Sequence, residues 1–392
     1  MSSAVLTENY LNYFEDNYRW SMGLLLALGA APYGGADIGE VHIVGRALKA
    51  KMGDDQAWFD EWCAMGDRLN DQAKERLAQG RHHSAANAAL RACNYYQIGE
   101  RFAVEKDEAA LAAYRKSLEC FRTYLEHGSG SETEVVEIPY EDGKSLPAYL
   151  VLPSRRPSGN GPVPCVVFFD GLDITKELQY LRGVEEFSRR GIACLVVDGP
   201  GNGESIRFRD LYLRYDCEVA GTAALNYLAT RDEIDAGRVA VMGISLGGYF
   251  APRCAAREER FAACVAWGAI WDYHKRWAAR ISAGFNVPLS VAGEHIAWTV
   301  GADSPEAALD MLKDWRLEGV AKDIRMPFLI LHGEDDQQVP MAEAEALFNE
   351  ASSADKTLMV YPKGQPGDQH CQVDSPAAIE EIADWLEAKL RP

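Results

Sequence analysis

The stretch Gly243-Ile244-Ser245-Leu246-Gly247-Gly248 follows directly on Arg238-Val239-Ala240-Val241-Met242 and runs into Tyr249 to Arg257, a helix-compatible segment. A β-branched run, a Gly-x-Ser-x-Gly and a helix together predict a tight strand-to-helix turn, which lifts the serine hydroxyl off the C-terminal edge of a sheet. Glycines flank such a serine because side chains there would collide with neighbouring backbone. In a chain with 34 glycines the pentapeptide alone carries little weight. Its reading depends on whether an acid and a histidine follow in order, each after its own strand.

Both follow. The apolar run Phe328-Leu331 leads into His332-Gly333-Glu334-Asp335-Asp336-Gln337-Gln338-Val339-Pro340. A carboxylate in that turn can reach an imidazole that serves the serine. Asp335 and Asp336 compete for this role, and Asp336 is preferred because it stands four residues before the proline of the Val-Pro pair. His332, at the strand's end, is read as an anchor for the turn. Thr357-Tyr361 then leads into Pro362-Lys363-Gly364-Gln365-Pro366-Gly367-Asp368-Gln369-His370-Cys371, a glycine-containing loop after the last strand. The order Ser245, Asp336, His370 is that of a nucleophile, the acid that orients the base, and the base itself. Upstream, Phe168-Phe169-Asp170-Gly171-Leu172-Asp173 closes another strand. Backbone N–H groups of Leu172 and Leu246 are the expected oxyanion donors. Asp198-Gly199-Pro200-Gly201-Asn202-Gly203-Glu204-Ser205 lacks the lysine and register of a phosphate loop and is read as a rigid turn after the fourth strand.

Around these motifs the texture is α/β. Val135-Ile138 and Leu146-Leu152, separated by Glu141-Asp142-Gly143-Lys144, predict a β-hairpin. Short buried runs at Cys165-Phe169, Ile192-Val197, Val239-Met242 and Cys264-Trp267 alternate with helical stretches at Lys176-Arg190, Asp216-Arg231 and Gly247-Arg257; Ala377-Leu390 closes the chain as a helix. The pattern predicts an eight-stranded, mostly parallel, doubly wound sheet over residues 132–392. A helical, aromatic insertion from Ile270 to Lys322 interrupts the alternation after the sixth strand. Residues 1–126 read as a separate all-helical domain. There Trp58, Phe59, Trp62, Met65 and Leu69 form an amphipathic stripe after the acidic pair Asp54-Asp55, and Asn87-Phe102 and Asp107-Leu125 repeat the pattern. His127-Gly128-Ser129-Gly130-Ser131 has linker composition.

The composition is that of an ordinary globular protein, 47% hydrophobic and 25% charged. A net charge of −19 argues against nucleic acid or an anionic membrane surface as partner, since both need basic surface. The nine cysteines are scattered without a C-x-x-C and sit mostly in apolar runs, as small hydrophobes in a reducing compartment do. Glu8, Glu15 and Asp16 precede any apolar run, and the longest such run, Gly23-Pro32, is short for a bilayer; a cytoplasmic address is expected. His82-His83 lacks an acidic or thiol partner at ligand spacing and is read as a polar helix end. No metal or cofactor is expected.

The five motifs in this order resemble the α/β-hydrolase superfamily. The helical first third, Asp170-Gly171-Leu172-Asp173 with Lys176-Glu177, Ser245-Leu246-Gly247-Gly248-Tyr249, Ala266-Trp267-Gly268 and His370-Cys371-Gln372 look like one branch of it. That branch holds 2,6-dihydroxypseudooxynicotine hydrolase, the fungal yellowish-green heptaketide pigment hydrolases and the FrsA-like proteins. The resemblance implies a homodimeric, cofactor-free serine hydrolase whose helical N-terminal domain caps the site. It implies a small aromatic or polyketide-like substrate of 1,3-dicarbonyl type, cleaved at a carbon–carbon bond beside a ketone. The alternatives are a carboxylesterase or amidase using the same residues, a peptidase, and a non-catalytic FrsA-like binding protein. Candidate substrate-pocket residues are Asp173, Glu177, Trp271, Asp272, Tyr273, His274 and Trp298. About a dozen residues past Trp267, where an extra pocket carboxylate is expected, stand Ala279 and Arg280; Asp272 is the candidate substitute.

Overall fold

The computed structural model describes residues 11–103, 106–154, 161–371 and 375–391. They fall into two compact units. One runs to Gly130 and takes in Val287–His295; the other holds Ser131–Asn286 and resumes at Ile296.

The described part of the first unit contains helices α1 (Tyr18–Gly29), α2 (Ile38–Lys49), α3 (Asp55–Ala78), α4 (His82–Glu100) and α5 (Glu108–His127). Asn17, Asp37, Asp54 and Asp107 each cap a helix start with a side-chain oxygen, so local chemistry sets where α1, α2, α3 and α5 begin. In α4, alanines at 85, 86, 88, 89 and 92 are all buried, and their small side chains let other helices approach closely. The core is aromatic: Trp58 lies 5.1 Å from Trp20, 5.6 Å from Trp62 and 4.8 Å from Phe102 between ring centroids. Its indole N–H donates to Ile98 O at 2.8 Å, so the large buried ring leaves no polar atom stranded. His82 and His83 open α4, where the His82 ring meets that of His127 at 4.9 Å.

The second unit is built on strands β1 (Thr133–Pro139), β2 (Ser145–Val151), β3 (Val163–Phe169), β4 (Ala193–Val197), β5 (Ile234–Ile244), β6 (Ala263–Trp267), β7 (Phe328–Gly333) and β8 (Lys356–Tyr361). Among the described residues they form one sheet in the order β1-β2-β4-β3-β5-β6-β7-β8. The β1–β2 hairpin and the β2–β4 pair are antiparallel; from β4 to β8 every pairing is parallel. β4 and β6 are buried throughout, as strands covered by helices on both faces must be.

The helices differ from the sequence expectation in three places. The single helix expected over Lys176-Arg190 is two, α6 (Lys176–Tyr180) and α7 (Val184–Arg189), broken at Gly183, whose φ of 105° suits glycine. A β-carbon on Gly183 would stand 2.4 Å from Ile379, so the break lets the C-terminal helix pack close. The glycine-rich turn after β4 does not stay a turn: it becomes α8 (Gly203–Arg209). Helix α9 is confined to Glu218–Leu228, and β5 begins four residues earlier than the β-branched run.

After α10 (Gly247–Arg257), the insertion provides α11 (Tyr273–Ser282), α12 (His295–Val300) and α13 (Pro305–Met311). Half of its aromatic residues are core. Tyr273 and Trp277 are buried, and Trp315 stacks on Tyr249 at 5.3 Å and meets Tyr273 at 5.3 Å. Helices α14 (Met341–Glu350) and α15 (Ser375–Lys389) complete the alternation.

Candidate functional site

Ser245 sits in the turn between β5 and α10 with φ of 57°, a conformation that costs a non-glycine residue energy and is held only by its surroundings. Those surroundings are close. A β-carbon on Gly243 would fall 1.9 Å from Gly247 O, so the turn can be this tight only with glycine there. Ser245 N–H donates to Trp267 O at 2.8 Å, which ties the turn to the end of β6. The strained turn therefore fixes where the hydroxyl points.

Ser245 Oγ lies 2.8 Å from His370 Nε2, and His370 Nδ1 lies 2.6 Å from Asp336 Oδ2. An ionised carboxylate only accepts, so Nδ1 carries the proton and Nε2 is left to accept from the serine hydroxyl. The other Asp336 oxygen accepts the amides of Gln338 and Val339, each at 2.8 Å. Burial opposes ionisation of Asp336. The positive charge that His370 carries when protonated, its hydrogen bond, the like effect of His332 and the Val339 amide outweigh it and hold the carboxyl below its usual pKa.

The neighbouring carboxylate does something else. Asp335 accepts Lys363 Nζ at 2.8 Å and Gln369 Nε2 at 3.1 Å, while its own N–H donates to Asp368 O at 3.0 Å. It fastens the turn after β7 to the loop that carries His370. His332 Nε2 donates to Val339 O at 2.8 Å across the same turn.

The loop after β3 lies against the serine: a β-carbon on Gly171 would stand 3.2 Å from Ser245 Cβ and 3.4 Å from its Oγ. Among the described residues the N–H groups of Leu172 and Leu246 donate to no protein acceptor. Unengaged amides next to Ser245 in the chain and in the loop packed against it suit an oxygen that becomes negative when the serine hydroxyl adds to a carbonyl.

The candidate pocket residues are placed less uniformly. Asp173 grips Arg207 through both oxygens, at 2.6 and 3.0 Å, and the guanidinium lies 5.3 Å from the Trp298 ring centroid. Glu177 is fully buried, 2.8 Å from Lys176 Nζ, and accepts the Tyr149 hydroxyl at 2.6 Å. Lys176 also reaches Asp198 at 3.1 Å and Glu204 at 2.5 Å, so Glu177 belongs to a buried charge cluster. Asp272 caps α11 by accepting Lys275 N–H at 2.8 Å. Glu343 Oε2 accepts the N–H groups of Trp271 and Asp272, both at 2.8 Å. Tyr273 is in the core, whereas Trp271, His274 and Trp298 are half-buried. The structure thus brings Ser245, Asp336, His370 and the Leu172 loop together. It gives Glu177 and Asp272 other partners.

Arg182 and Arg207 were not singled out in the sequence. A buried arginine announces itself only through partners far along the chain, here Cys371 for Arg182 and Asp173 for Arg207. Among the described residues no group of histidine, cysteine and carboxylate side chains could hold a metal, and no helix is long and apolar enough to cross a membrane.

Comparison with known proteins agrees with this architecture. A family model described as esterase FrsA-like matches residues 48–391. The alpha/beta hydrolase xenA of Xenoacremonium sinensis is 34% identical over 268 residues, 66% of this chain but only 62% of that protein, under two thirds of its length. Hydrolase LUC6 of Fusarium sp is 30% identical over 399 residues, covering 93% of this chain and 94% of that protein. Among solved structures, the 2,6-dihydroxy-pseudo-oxynicotine hydrolase superposes with a TM-score of 0.75 at 25% identity, covering 93% of this chain and 95% of its own. The sheet of the second unit is that of an α/β-hydrolase.

Proposed function

The chain belongs to the esterase FrsA-like family, and from that premise we propose that it is a serine hydrolase acting on a small carbonyl-containing substrate through an acyl-enzyme. The observation that carries this is the unbroken relay from Ser245 Oγ through His370 to Asp336, at 2.8 and 2.6 Å. Ser245 attacks the carbonyl while Nε2 takes its proton, and Asp336 stabilises the imidazolium so formed. The Leu172 and Leu246 amides receive the oxyanion. The imidazolium then protonates the leaving group, and water, activated by the same nitrogen, releases the acyl group.

For the bond cleaved, the first reading is carbon–carbon beside a ketone, in an aromatic or 1,3-dicarbonyl substrate. It rests on the resemblance to the branch described above. Such a leaving group departs as an enolate or delocalised carbanion and takes its proton from His370 Nε2. The second reading, an ester or amide, is favoured by Asp272: its carboxylate caps α11, which weakens its claim to replace a pocket carboxylate. The relay serves both.

Residues 1–126 are proposed to select the substrate and pair two chains, while residues 132–392 carry the chemistry in a cytoplasmic protein. A fluorophosphonate probe tests the core of this reading: it should label the wild type and not Ser245→Ala. Equal labelling of the two, or none of the wild type, overturns the serine mechanism. Aromatic 1,3-diketones and aryl esters, offered side by side, separate the two bond classes; turnover of esters alone sinks the carbon–carbon reading. Residues 132–392 expressed alone should keep labelling but lose substrate preference and dimerisation, and unchanged preference breaks that assignment.

A further inference from the structure

The loop carrying Leu172 leaves the sheet at β3 and the loop carrying His370 leaves it at β8, with β5, β6 and β7 between them. At strand spacing those exits stand on the order of 19 Å apart. Yet both loops must converge on Ser245 with little error, since about 1 Å of misplacement can cost on the order of 100-fold in rate.

One side chain reaches both. Arg182, in the break between α6 and α7, donates from Nη1 to Asp170 Oδ1 at 3.1 Å and from Nη2 to Cys371 O at 2.7 Å. Asp170 Oδ1 also accepts Gly171 N–H at 2.6 Å, so the same carboxylate orients the backbone just before Leu172. Cys371 follows His370 and has φ of 48°, a left-handed conformation that needs outside support in a non-glycine residue. Its thiol donates to Trp267 O at 3.4 Å, the carbonyl that also accepts Ser245 N–H, and the Arg182 guanidinium lies 5.9 Å from the Trp267 ring centroid. The Arg182 side chain is 8% exposed. A planar fork with donors on separate nitrogens can bridge a carboxylate and a carbonyl in this way; a lysine ammonium is a single point on a flexible stem.

We propose that Arg182 is a positioning residue that locks the oxyanion-donor loop and the histidine loop into one register around Ser245. The assignment rests on the serine-hydrolase reading above. The clamp touches neither substrate nor reacting atoms, so its loss lowers the rate of attack by the serine while leaving substrate affinity nearly intact.

The test is the rate constant for fluorophosphonate labelling of Ser245, measured with its amplitude. Misfolding lowers the amplitude; misplaced loops lower the rate constant of the molecules that do label. Arg182→Lys is expected to label about 10- to 100-fold more slowly than wild type, with kcat reduced in step and KM changed less than about twofold. Arg182→Ala is expected to regain rate on addition of methylguanidinium and not of methylammonium. Labelling of Arg182→Lys within about twofold of wild type overturns the clamp while the serine mechanism stands. Slow labelling without guanidinium-specific recovery also overturns it, by reducing Arg182 to general support. A wild type that does not label removes the serine reading, and the clamp with it.

Discussion

Asp336 and Asp198 are a matched pair with opposite outcomes. Each lies just past the C-terminal end of a parallel strand, β7 and β4, and each is buried and accepts backbone N–H groups. Asp336 is held below its usual pKa. For Asp198, burial and the Glu177 and Glu204 charges overcome the Lys176 charge and the Glu204 amide and push the carboxyl up, to about 6. Donor count does not separate them. The surrounding charge does: Asp336 faces the imidazoles of His370 and His332, whereas Asp198 shares one ammonium with two further carboxylates. Within that cluster Glu177 is buried too, but the Lys176 charge and hydrogen bond, with the Tyr149 hydroxyl, keep its pKa down. Whether a buried aspartate after a strand is held ionised or pushed toward its neutral form thus depends on the charges that tertiary packing brings to it.

The largest expected effect breaks the Asp336 side. Asp336→Asn should lower kcat by about 10,000-fold, because an amide can donate to Nδ1 and hold the imidazole in the tautomer that cannot take the serine proton. A loss under tenfold in kcat would show that the relay is not used. Next comes the brace. Lys176→Met leaves three carboxylates around a buried site without their cation and should cost roughly 3–5 kcal/mol in urea unfolding; a cost near zero would mean the cluster is already neutral.

Stability against pH then separates the two aspartates by sign. Asp336 has a lowered folded pKa, so its contribution is present above about pH 4, the unfolded value, and is lost as pH falls through the folded one. Asp198 has a raised folded pKa, so its contribution is complete below about pH 4 and is lost as pH rises through about 6. Melting temperatures from pH 3 to 8 should therefore show wild type losing ground to Asp198→Asn as pH rises, and to Asp336→Asn as pH falls. Parallel curves for all three proteins would erase the contrast. The smallest effect is expected at Asp335→Asn, which loosens the tie to Lys363 and Gln369 and should change kcat by less than about tenfold. A collapse as large as that of Asp336→Asn would mean the loop tie matters as much as the relay.

The sheet was readable because its signals are local. Buried runs such as Cys165-Phe169 and Cys264-Trp267 can form little else between helices, and a turn made of glycine and serine after such a run has few shapes open to it. The misreadings were local signals overruled from a distance. Lys176-Arg190 looks like one helix, but Ile379 needs the space where a β-carbon at position 183 would stand. The turn after β4 is glycine-rich enough to hide the helix that begins at Gly203. Tyr273, on an inserted helix, is a pocket candidate in the sequence although aromatic residues on such a segment are more often core. Packing with Trp315 puts Tyr273 in the core, and Trp277 is buried on the same helix.

By itself, the sequence placed its three motifs on the right strand ends: the serine turn after one strand, the aspartate turn after a later one, the histidine loop after the last. Periodicity, glycine placement and chain order are properties of neighbouring residues, so they survive without a structure. Tertiary structure alone brought Asp336 to the imidazole while Asp335 went to Lys363 and Gln369. It also joined Arg182 to a carbonyl 189 residues away and placed one ammonium among three carboxylates. Those outcomes turn on distances of a few ångströms between segments far apart in the chain, because the charge state of a buried group depends on what stands beside it.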